Sequence, residues 1–118
     1  MSASAPRTWF FRLMALGSLG AAAFHALTAL GLTPGDGSPV WRHALFTGID
    51  TLGAVLLVQR PRWLVFPAAL LTLQQFGSHG SRVLRWWQAD RAIDWISIVL
   101  LASLGVTVVL LWQERKSP

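Results

Sequence analysis

WRHALFTGIDTLGAVLLV, residues 41–58, has the length of a membrane-spanning helix, yet it carries His43 near one end and Asp50 close to its middle. Steps of three and four residues return to one helix face, so His43, Thr47, Asp50 and Ala54 form a stripe. The rest of the stretch is mainly Leu, Val, Phe, Ala and Gly. An ionisable group at mid-bilayer costs roughly 2.5–3.5 kcal/mol on insertion scales, so it faces protein or water rather than lipid. Other helices must receive that stripe.

Working outward, three more apolar stretches bring the expected spans to about 9–32, 41–58, 63–79 and 93–112. Each is close to the ~20 residues that cross ~30 Å of hydrocarbon. In the 118 residues, 53% are hydrophobic and 13% charged, the latter half of the usual share. A soluble bundle would need a polar outer face on each helix, and those faces are largely missing. The sequence therefore predicts an all-α, polytopic integral membrane four-helix bundle, residues 1–118 forming a single four-span domain. The first apolar run imitates a signal peptide, but it continues past His25 to Leu32 and is read as an uncleaved span.

The connections follow from composition. TPGDGSP (33–39) is a turn, with Ser38 expected to cap the second helix and Pro39 to occupy its first position. Arg60-Pro61-Arg62 is a tight link, and Pro67 is expected to kink the third span. GSRVLRWWQADRA (80–92) interleaves Arg82, Arg85 and Arg91 with Trp86 and Trp87, a pattern suited to an interfacial helix among lipid headgroups. Asp90 is the expected cap of the fourth span. Trp9, Trp41, Trp63, Trp95 and Trp112 all fall at span ends, where tryptophan belts form.

Charge speaks to orientation rather than to nucleic acid. The net +5 comes from arginines at helix ends, so a nucleic-acid partner is not expected. Arg7, Arg12, Arg60, Arg62, Arg115 and Lys116 would share one side, against Arg42, Arg82, Arg85 and Arg91 on the other. That balance places both termini in the cytoplasm of a bacterial-type inner membrane. The expected partners are the lipid bilayer and either further copies or other membrane subunits. In outline the chain resembles the small multidrug resistance exporters, but their embedded glutamate has no counterpart in the first span, which contains no acid.

With 1.5 Å of rise per residue, His25, His43, His79 and Asp94 fall in the same half of the membrane, and Asp50 lies about 15 Å below the mouth. In bundles, metal and cofactor sites are built from inward side chains on different helices. Imidazole with carboxylate suits a divalent metal, zinc or iron, while the absence of cysteine removes thiolate chemistry. A b-type haem held by a histidine pair ranks behind a simple metal ion. The expected site is therefore His25, His43, His79 and Asp94 as metal ligands, with Asp50 and Gln75 beneath as a polar pocket or proton-coupling pair. Its function would be binding a metal ion or small polar ligand, with a metal-activated water if catalytic. Two other classes compete. One is an accessory subunit whose polar residues serve helix packing. The other is an oligomeric proton-coupled transporter using Asp50.

Overall fold

The computed structural model describes residues 5–116. Among them the chain forms four α-helices, one 3₁₀ turn and no strand, and 86% of the residues are helical. It divides into two compact units, Met1–Arg60 and Pro61–Pro118.

The first unit is an antiparallel hairpin of α1 (Ala5–Ala29) and α2 (Val40–Gln59). Its seam is narrow because Ala15, Ala22 and Ala54 are buried along it, and small residues let backbones approach. Buried Phe11 closes one end beneath the Arg60 guanidinium, 5.3 Å from its ring, and His25 meets His43 near the other. α1 stops in a Schellman motif. Gly31 takes φ 72°, its N–H donates to the Thr28 carbonyl, and the Leu32 N–H donates to the Leu27 carbonyl. No heavy atom would meet a Cβ there, so Gly31→Ala tests the backbone alone. It should destabilise the hairpin by about 1 kcal/mol, read by denaturant titration of circular dichroism in micelles. Pro39 is the N-cap of α2 and no side chain caps that helix; Ser38 instead accepts from Arg42 Nη1 at 3.0 Å, which corrects the expected cap.

The second unit opens with the 3₁₀ turn Arg62–Leu64 and continues through α3 (Val65–Asp90) and α4 (Trp95–Lys116), again antiparallel. Pro67 lies in the first turn of α3, where backbone N–H groups have no intrahelical partner, so it disturbs no ladder. The stretch from Gly80 to Asp90 is a direct continuation of α3, not a separate interfacial helix or a loop. Asp90 is the last residue of that helix, and Arg91 follows in the left-handed conformation at φ 53°. Asp94 takes the capping role assigned to Asp90: its Oδ1 accepts the Ser97 N–H at 3.1 Å, and its carbonyl accepts the Ile98 N–H.

α1 and α4 are long and apolar enough to cross a membrane. Only 17% and 22% of their apolar windows are buried, less than the core helix of a soluble protein shows. In α2, Leu45, Leu52, Val55 and Val58 are exposed, while His43 is 3% exposed.

Candidate functional site

Two polar clusters stand out, one in each unit. In the first, His25 Nδ1 and His43 Nδ1 lie 3.0 Å apart, the separation of an N–H···N hydrogen bond. The His25 ring is held by Phe46, stacked at 5.4 Å, and by the edge of Phe24 at 5.5 Å. Beyond His43, its Nε2 is 3.3 Å from Asp36 Oδ1. Beyond His25, its Nε2 is 3.9 Å from Asp50 Oδ2. The order is thus Asp36, His43, His25, Asp50, running from the α1–α2 loop to the middle of α2.

Counting protons defines what this chain can do. A neutral imidazole carries one N–H, so two neutral rings hold two protons. Three contacts need one: the nitrogen–nitrogen contact and the two facing carboxylates. With both carboxylates ionised, a neutral pair therefore leaves one contact empty, and one extra proton fills all three. His43 Nε2 shows that tension. It is buried and makes no hydrogen bond, since the Asp36 oxygen lies off its N–H direction. The step from His25 to Asp50 is longer than a hydrogen bond and needs a side-chain rotation or a bridging water.

The carboxylates differ in kind. Asp36 is exposed in the loop, and its carboxyl is held below the usual range because the Ser38 backbone N–H donates to Oδ1 at 2.9 Å. Asp50 is mostly buried and has His25 as its polar partner among the described residues. One end of the series is exposed in the loop and the other is partly buried.

In the second unit, His79 Nδ1 is 2.8 Å from Ser97 Oγ, and that hydroxyl donates to Asp94 Oδ2 at 2.7 Å. Arg82 Nε sits 2.9 Å from the same oxygen, and its guanidinium stacks over Trp86 at 5.3 Å. Asp94 and Ser97 are both buried. Arg91 stacks over Trp87 at 5.3 Å, and Arg85 Nη1 reaches Ser81 Oγ at 3.4 Å.

Of the expected ligands, His25 and His43 meet directly, while His79 and Asp94 are joined through Ser97. Asp94 has its oxygens committed to Ser97 and Arg82, the role of a cap and an ion-pair partner. Gln75 Nε2 donates to its neighbour Gln74 at 2.9 Å. Among the described residues, no group of three or more His, Cys, Asp or Glu is arranged to hold a metal. The 3.0 Å between the two Nδ1 atoms is also shorter than the roughly 4 Å that two trans ligands at about 2.0 Å each would need, so these rotamers do not fit an axial haem pair. Asp36 is the residue sequence reasoning missed. It reads as one acid in a Gly/Pro turn, and the clue was an acid in the loop that leads to His43.

No protein-family signature, curated protein or solved structure matches the chain.

Proposed function

We propose that the protein is a four-span integral membrane protein, both termini cytoplasmic, whose first hairpin relays protons through Asp36, His43, His25 and Asp50. The observation that carries this reading is the 3.0 Å contact between the two Nδ1 atoms with a carboxylate beyond each outer nitrogen. Ionisable residues sunk in a membrane mark ion and proton pathways, because nothing else offsets their cost. In this reading α2 and α3 also cross, α2 turning its polar stripe onto α1. A proton entering from solvent at Asp36 passes to His43 Nε2. His43 hands its Nδ1 proton to His25, and His25 releases one from Nε2 to Asp50. Asp50, protonated and then ionised, is the point at which such a relay couples to the movement of a small-molecule cargo.

The protein in liposomes, acid inside and dye-reported, should discharge a pH gradient faster than empty vesicles. His25→Ala and His43→Ala should each bring the rate back to the empty-vesicle level. Equal rates for empty, wild-type and variant vesicles would remove the proposal.

The paired nitrogens also keep a metal reading alive, since two imidazoles converge within 3.0 Å. A zinc ion there would have to draw its remaining ligands from water. Elemental analysis of the purified protein decides it: equal metal in wild type, His25→Ala and His43→Ala would end that reading.

A further inference from the structure

The two units share more than their hairpin shape. In each, a histidine on the first helix bonds a residue 18 positions later on the second: His25 to His43, and His79 to Ser97. The first pair maps onto the second by a shift of 54 residues, and so does much else. Trp9 falls on Trp63, Asp36 on Asp90, Trp41 on Trp95, Gln59 on Gln113, and Val55-Leu56-Leu57 on Val109-Leu110-Leu111. Burial obeys the same shift. Phe11 and Val65 are 1% and 3% exposed, His43 and Ser97 3% and 2%, Leu57 and Leu111 8% and 4%.

We infer that the units are tandem copies of one helical hairpin, and that the second copy holds its own imidazole site, in which His79 offers a fixed acceptor nitrogen to a ligand carrying an O–H or N–H donor. The inference stands apart from the proton relay and needs no proton flux to be true.

The chemistry follows from the substitutions between copies. Ser97 stands where the first copy has His43. Its single hydroxyl proton goes to Asp94, a carboxyl held below the usual range first by the hydrogen bonds from Ser97 and then by Arg82, whose Nε is 2.9 Å away. Ser97 Oγ can therefore meet His79 only as an acceptor, which keeps the imidazole proton on Nδ1. Nε2 is left with its lone pair. In the first copy the corresponding nitrogen faces Asp50; in the second, Leu104 stands at that place in the sequence and offers no carboxylate. A proton delivered to His79 has no acid at that position to pass to. Nε2 thus accepts a hydrogen bond from a ligand instead. The nearby Arg82 selects against a cationic donor and favours a neutral one.

The loops account for one mismatch. α3 runs on to Asp90, whereas α1 ends at Ala29, so Asp90 is taken up into the helix and Asp94 supplies the carboxylate instead.

The test is nitrogen NMR of the full chain, histidine-labelled, in micelles. Long-range proton–nitrogen correlations should show His79 in the Nδ1–H form, and Ser97→Ala should release that preference. Ser97→His should create a nitrogen–nitrogen coupling between residues 79 and 97 like that between His25 and His43. Because the larger side chain could disturb the helix, the converse variant is His43→Ser with Val40→Asp, which places a carboxylate where the second copy has Asp94 and is expected to give His25 the Nδ1–H form. Phenol should shift the His79 Nε2 resonance, and anisole, which lacks a donor, should not. An Nε2–H form in wild type, or equal responses to phenol and anisole, overturns the acceptor site. Absence of the coupling in Ser97→His, together with an unchanged His25 in the variant carrying His43→Ser and Val40→Asp, overturns the equivalence of the copies.

Discussion

Asp50→Asn should leave the protein folded and lower its proton flux by about 100-fold, the lower end of what a positioned proton-transfer group contributes. Asparagine keeps the size and hydrogen-bonding edges of the side chain but cannot bind and release a proton in this range. The relay would still load at Asp36 and fill the imidazole pair. It would then have nowhere to deliver, since Asp50 is the polar partner beyond His25 Nε2. Stability should move the opposite way. Removing an ionisable group from mid-helix relieves part of the roughly 2.5–3.5 kcal/mol insertion cost, so resistance to unfolding in micelles should rise or stay level. Reduced flux with undiminished stability is the signature of a proton-carrying carboxylate. Unchanged flux in pH-gradient vesicles would remove Asp50 from the pathway, and a parallel loss of fold would recast it as a packing residue.

Much of this fold is legible in the sequence because long apolar helices are written in composition over many residues. The four apolar runs and the tryptophans at their ends locate α1, α2, α4 and the start of α3 to within about four residues, while α3 runs on to Asp90, well past the expected end at 79. What escapes is local. GSHGS, residues 77–81, looks like a break, yet no proline follows it, and Val83, Leu84, Arg85 and Trp86 continue a helix already nucleated. Asp90 and Asp94 are equally good caps by residue type. The choice between them depends on where α3 ends, and that is fixed by Arg91 adopting the left-handed conformation. In the site, depth alone brings His25 level with His43, since both can be counted from the same turn. Asp36 is different. Its position beside His43 depends on a loop folding back through Gly31 and Gly37, both at positive φ, and two glycines do not announce a direction. The shared pattern of the two hairpins is also written in the sequence, but many of its matches are apolar residues, where identity carries little information. It becomes visible once His25···His43 and His79···Ser97 are seen to span the same number of residues.

Asp94→Ala is expected to destabilise the second hairpin strongly. Asp94 does two things at once. It caps α4 by accepting the Ser97 N–H, and it receives the hydroxyl of Ser97, which is 2% exposed. Losing the cap costs about 1 kcal/mol. Stranding the buried hydroxyl, whose remaining polar neighbour is His79, adds about 1–2 kcal/mol. The ion pair with Arg82 adds little, because that side chain is half exposed and such pairs are screened. The total is about 2–3 kcal/mol. Asp94→Asn separates the contributions, since asparagine caps as well as aspartate and still accepts from Ser97, so it should cost about 1 kcal/mol or less. Denaturant titration followed by circular dichroism reads both. Equal losses for the two variants would mean that charge, rather than capping and hydroxyl acceptance, holds the start of α4. A loss below about 0.5 kcal/mol for Asp94→Ala would place Asp94 outside the stability of the hairpin altogether.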